Sequence, residues 1–222
     1  MTTFYSITLI CPVCKAEFRS SIIGSCGYAS KRTDFRPNYW GFNPVQFFYH
    51  LCPDCGFCAN KKTFENKIEN SAFQEEIFSI GPLINLTLEK KLERAMLCIE
   101  TMNDFGILSL NEYQLANYWI EAFWWAVNPD LINKCGKITL KYFKLALEKN
   151  IIPDDQIYII KYLMAELYRR IGQKSKAIEL FNEVILLTKD LSDVKWIYDL
   201  AIQQKNNPKE NLEKSPKIII NS

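Results

Sequence analysis

Two Cys-Pro-x-Cys tetrapeptides, CPVC at 11–14 and CPDC at 52–55, constrain this chain more than anything else in it. A CxxC turn aims two thiolates at one point. Two such turns supply the four sulfurs that a tetrahedral zinc ion takes at about 2.3 Å. In each turn a proline follows the first cysteine, which fixes φ and removes an amide donor. Gly56 follows the second pair, where a tight turn often requires positive φ. Lys15 holds the same place after the first pair. The gap of 37 residues between the pairs exceeds that of a compact finger, so an insertion must fold back to bring the turns together. Cys11, Cys14, Cys52 and Cys55 are therefore the expected ligands of one structural Zn2+. The competing chemistry is a redox dithiol, which needs one CxxC at a helix N-terminus after a strand. Two pairs, each inside a hairpin, fit that badly, and four free core cysteines would leave the repeated motif unexplained.

The residues around each pair read as strands. The run FYSITLI (4–10) leads into the first pair and VQFFYHL (45–51) into the second. In the second run Val45, Phe47, Tyr49 and Leu51 alternate with Gln46, Phe48 and His50, the period of a strand. From about Leu83 the period becomes helical. Leu88, Leu92, Ala95, Met96, Ile99 and Met102 form one stripe, with Glu89, Lys90, Glu93 and Arg94 away from it. Further helices are expected over 111–127 (Asn111 as N-cap), 133–149, 154–171, 174–188 and 191–203. The expected fold class is α+β: a small β zinc ribbon over 1–66, a linker over 67–79, an all-α array over 80–204, and a polar flexible tail over 205–222.

The remaining cysteines are weaker candidates. Cys58 lies one further CxxC step along, but only Cys52–Cys55 repeats the Cys-Pro-x-Cys form, so Cys58 reads as a small buried residue. Cys26 is an equally weak ligand candidate, and Cys98 and Cys135, in or near helices, read as core or surface thiols. His50, the only histidine, reads as a strand residue, with a hydrogen bond to a zinc-bound sulfur as the minority reading. A closed four-thiolate site leaves no position for water or substrate. No phosphate loop and no catalytic constellation is seen, so no enzyme is expected. Eight cysteines with an ample core and no basic residue ahead of the opening apolar stretch point to a cytoplasmic chain with reduced thiols. No apolar run approaches the roughly 20 residues of a membrane span.

Nucleic acid is the alternative partner class. Residues 1–66 hold seven Lys/Arg and four Asp/Glu. A zinc ion with four thiolates removes about two further positive charges, which leaves a thin electrostatic footprint. The stretch KRTDFRPNYWGFNP interleaves Lys31, Arg32 and Arg36 with Phe35, Tyr39, Trp40 and Phe42, a pattern able to stack bases. Core packing is the favoured role for these aromatics, because small domains are short of buried area.

The run KYLMAELYRRIGQKSKAIELFNEVILL (161–187) follows the tetratricopeptide (TPR) consensus at Ala165, Tyr168, Gly172, Ala177 and Phe181, with Lys161 in place of the usual first aromatic. The pair 113–127 with 134–149 is a looser echo. Trp119, Phe123, Trp124 and Trp125 read as packing residues. Taken together, CPVCKAEF, SKRTDFRPNYWGFNPVQFFYHLCPDCGFCA and AELYRRIGQKSKAIELF resemble the uncharacterised bacterial "domain of unknown function 2225" family over most of residues 8–200. The resemblance implies a metal role for Cys11, Cys14, Cys52 and Cys55. It matches Asp34, Asn43 and Pro44 to the segment between the knuckles, puts alanine where this chain has Cys58, and carries no activity. The functional expectation is a zinc-binding scaffold or adaptor whose TPR-like helices hold another protein. A nucleic-acid-binding ribbon with accessory helices is second.

Overall fold

The computed structural model describes residues 3–84 and 86–212. Its first part is three two-stranded antiparallel sheets. Strands β1 (Thr3–Ile10) and β2 (Glu17–Ser25) pair around the first CxxC turn, with Ile10 opposite Glu17. Strands β3 (Tyr28–Lys31) and β4 (Pro37–Tyr39) form a hairpin between the knuckles. Strands β5 (His50–Leu51) and β6 (Cys58–Ala59) pair around the second turn.

The expected strand over 45–51 shrinks to those two residues of β5. Asn43 caps a 3₁₀ turn over Pro44–Phe47 by accepting from the Val45 amide, 3.1 Å away. Proline suits the first turn of such a helix because its missing N–H would go unbonded there. This local cap overrides the period-two pattern.

Eight α-helices follow among the described residues: α1 (Lys61–Phe64), α2 (Ser71–Ile80), α3 (Leu88–Asp104), α4 (Glu112–Trp125), α5 (Pro129–Glu148), α6 (Ile157–Arg170), α7 (Lys174–Thr188) and α8 (Lys195–Asn206). Side-chain caps start five of them: Asn60, Asn70, Thr87, Asn111 and Asn128 each accept an amide hydrogen from the first turn. Asn111 and Gln114 complete a reciprocal capping box. α5 begins four residues before the expected 133, because Pro129 fits N1 behind the Asn128 cap.

Consecutive helices pack on each other from α3 to α8, with α4 along α5 and α6 along α7. The α6–α7 turn passes through Gly172 at φ +79. Ala165, Ala177 and Phe181 are buried between helices, as their small-and-aromatic spacing requires. The Phe181 ring meets Tyr162 at 5.8 Å, while Tyr168 lies between Lys144 of α5 and Lys176 of α7.

The buried apolar side chains form one continuous cluster from Leu9 to Leu212, shared by ribbon and helices. The stretch 67–79, read as a linker, contains most of α2, whose Phe73 and Ile77 are fully buried. Phe73 packs edge-on against Phe57 beside the second knuckle, with ring centroids 6.0 Å apart. The stretch read as a tail from 205 also departs from expectation. α8 runs to Asn206, and the chain then returns to the β3–β4 hairpin, where Leu212 N–H donates to Lys31 O at 3.0 Å. Residues 213–222, the rest of the expected tail, lie outside the described residues.

Candidate metal centre

The two knuckles are built alike. In the first, Cys11 N–H donates to Ala16 O at 2.8 Å and Lys15 N–H to Cys11 O at 3.0 Å. In the second, Cys52 N–H donates to Phe57 O at 2.8 Å and Gly56 N–H to Cys52 O at 3.0 Å. The residue after each second cysteine is left-handed, Lys15 at φ 65 and Gly56 at φ 76. Lys15 is held there by its own ammonium, which donates to Pro12 O at 2.7 Å. Gly56 has a second reason to lack a side chain. A Cβ there would sit 2.3 Å from Gly81 O and 2.4 Å from Arg94 Nη1.

Each sharp turn folds its two thiols back toward the other knuckle. Cys11 Sγ lies 3.6 Å from Cys55 Sγ, and Cys14 Sγ lies 3.5 Å from Cys52 Sγ. All four sulfurs fall within 4.8 Å of one another. Tetrahedral ligands at 2.3 Å from one ion stand about 3.8 Å apart, so this set fits a metal of zinc's size. Hydrogen bonding from the Cys55 thiol draws Cys11 down toward the thiolate. The same bond, together with burial, pushes Cys55 up, and burial pushes Cys52 up to about 11. A cation on all four would displace the retained protons, so its hold must weaken as pH falls.

The second knuckle is braced from α3. Arg94 donates to Gly81 O at 2.6 Å and to Gly56 O at 3.2 Å. The helical pattern set Arg94 on the outer face, yet it is buried because it satisfies carbonyls of two loops. Cys58 occupies the first residue of the outgoing strand, the place of Glu17 in the first knuckle. Its thiol faces Lys91 O at 3.6 Å, and its amide donates to Cys98 Sγ at 3.4 Å. It therefore stands outside the cluster. Cys26 is exposed, and Cys98 and Cys135 are buried elsewhere. His50 is buried, with Nδ1 2.7 Å from Ser20 Oγ and its ring edge-on to Phe64. Burial, reinforced by Lys91 and Lys61, pushes its imidazole down to about 4, so it is a neutral core group joining β2 to β5.

The segment between the knuckles reaches into the helices. Phe35, at φ 68, turns the β3–β4 hairpin and packs on Tyr162 with centroids 5.5 Å apart. Thr33 O accepts from Tyr162 Oη at 3.0 Å, and Asp34 O accepts from Trp124 Nε1 at 3.0 Å. The Asp34 carboxylate pairs with Arg32 and lies 3.2 Å from Arg170 Nε. Arg36 lies over the Trp125 ring at 4.9 Å and donates to Trp124 O at 3.3 Å. The three cations of the interleaved stretch are thus turned toward the protein, Lys31 being buried as well. The core role expected of its aromatics holds for Phe35, and for Tyr39, which is half-buried and stacked on Trp125. It fails for Trp40 and Phe42, which stand 63% and 49% exposed.

Among the described residues no helix is long and apolar enough to cross a membrane. A family model described as "Uncharacterized protein conserved in bacteria (DUF2225)" matches residues 4–80 and 107–208. Neither the curated proteins nor the solved structures compared with the chain gave a match.

Proposed function

The chain belongs to the DUF2225 family of uncharacterized proteins conserved in bacteria, and we propose that it is a zinc-stapled adaptor that holds a partner protein on its helices. The observation that carries this reading is the cluster of Cys11, Cys14, Cys52 and Cys55, whose second knuckle is braced by Arg94 of α3. Soft thiolates in a tetrahedral S₄ set select zinc or iron, and the closed set assigns the ion an architectural role. Once bound, the ion fixes both knuckles, and the hairpin they carry is wedged among α4, α6 and α8. Reduced thiols of this kind suit the cytoplasm.

Successive helix pairs with small residues at their contacts support a TPR-like array, and such stacks expose grooves that accept segments of other proteins. The nucleic-acid reading has less support. Arg32 and Arg36 are engaged with Asp34 and Trp125, and Lys31 is buried, which leaves the exposed Trp40 and Phe42 without a free cation from their own segment. The test is affinity capture with the intact chain after nuclease treatment. A discrete protein that co-purifies with the wild type and is lost with the metal-site variant Cys52→Ser fits the adaptor. Capture of nucleic acid alone, abolished by nuclease, overturns it.

A further inference from the structure

A surface groove of about 430 Å³ runs between α5 and the α6–α7 turn. Its walls carry Lys137, Lys141 and Lys144 from α5 and Lys176 from α7; Leu140 and Tyr168 lie between them. Glu148 is the one acidic side chain lining it. The groove's charge of four lysines against one glutamate exceeds the +2 of the entire chain.

The neighbouring lysines are matched: Lys134 on α5 pairs with Glu93, and Lys149 at its C-cap with Glu112. Among the described residues none of the four groove lysines has a carboxylate within ion-pair distance, although all four are exposed. Lys144 and Lys176 instead converge on the Tyr168 ring, at 5.5 and 5.6 Å from its centroid. Four ammonium groups with a single carboxylate among them repel one another, and an anionic occupant relieves that repulsion.

We infer that this groove binds an acidic, extended segment of a partner protein. The inference rests on the adaptor reading and names the chemistry of its partner. Lys137 and Lys141 stand about 6 Å apart along the helix axis. Alternate side chains of an extended peptide stand about 6.6 Å apart, so carboxylates at every second residue meet successive lysines. The intervening side chains point away from the helices, so the carboxylates carry the contact. Single-stranded nucleic acid fits less well, because Tyr168 is buried beneath two ammonium groups and offers no free face for a base.

The experiment uses the full chain and a fluorescein-labelled peptide of alternating glutamate and leucine, followed by anisotropy. Controls are the same peptide with glutamine for glutamate and a thymidine oligonucleotide. The acidic peptide is expected to bind, and the double variant Lys141→Glu/Lys144→Glu to weaken it at least about tenfold with an unchanged melting temperature. Lys141→Gln/Lys144→Gln, which introduces no new charge, is expected to show a smaller loss in the same direction. Equal binding by wild type and both variants, no preference over the glutamine peptide, or tighter binding of the oligonucleotide would each overturn the groove assignment. The two readings fail separately. Partners captured equally well by wild type and double variant would refute the groove alone, whereas a wild type that captures no protein refutes the adaptor.

Discussion

Thr33 donates its hydroxyl hydrogen to Glu166 at 2.8 Å, although 133 residues separate the two and both are fully buried. The same carboxylate accepts from Arg169 Nε at 2.8 Å and from Gln204 Nε2 at 3.0 Å. The inter-knuckle hairpin, α6 and α8 thus share one buried polar node. A node of this kind is costly to leave half-made, because an unpartnered buried group keeps its whole desolvation penalty. Thr33→Val should therefore lower unfolding free energy by about 1–3 kcal/mol, read from urea denaturation. A loss below about 0.5 kcal/mol would mean that the hydroxyl is dispensable.

The node also sets what the helices can do alone. A fragment of residues 80–204 would leave Glu166 and Arg170 without Thr33 and Asp34, and would uncover Tyr162 and Trp124. That fragment should unfold with low cooperativity, or precipitate, when followed by circular dichroism. A sharp transition at the intact chain's melting temperature would show that the helices are independent of the ribbon.

The terminal segment should contribute measurably. Glu210 accepts from Arg170 Nη1 at 2.9 Å, and Leu212 is buried. The Arg170–Glu210 pair is partly exposed and contributes little, so burial of Leu212 dominates, worth about 1.5–3 kcal/mol at most. Truncation after Asn206 should shift the urea midpoint down, whereas truncation after residue 212 should leave this docking intact. Identical midpoints for the two truncations would remove the docking from the account.

How much of this was legible in the sequence depended on range. The knuckles were readable because each is closed by bonds within a few residues, such as Lys15 N–H to Cys11 O. Helix α4 was readable from its Asn111 cap and the break at Pro129 for the same reason. The strand expected over 45–51 failed where a neighbouring cap, Asn43, set a 3₁₀ turn that alternation does not encode. Arg94 and Thr33 were missed because their roles depend on carbonyls and carboxylates far away in sequence. The one available signal was a cation or hydroxyl set among residues that the fold would bury, and that pattern alone names no partner.

Gly56 offers a test of the second knuckle without touching sulfur. Its φ of 76 and the absent space for a Cβ act together. Gly56→Ala should cost more than the roughly 1–2 kcal/mol of left-handed strain alone, because Gly81 or Arg94 must also move. Lys15→Gly, at the matching place in the first knuckle, should be nearly neutral, since relief of strain at φ 65 offsets the loss of the ammonium bond to Pro12 O. Thermal unfolding of the two variants decides it; equal destabilisation would contradict the steric argument.

The most direct test of the account is the metal content of purified protein and two serine variants, by elemental analysis. The wild type should carry one zinc per chain. Cys52→Ser should lose it and much of its stability, since structural zinc contributes on the order of 10–16 kcal/mol of binding that is also folding energy. Cys58→Ser should keep it, because that thiol faces Lys91 O and stands outside the four-sulfur cluster. Equal loss in both variants, full retention in both, or iron in place of zinc would contradict the assignment of Cys11, Cys14, Cys52 and Cys55 as a closed structural zinc site.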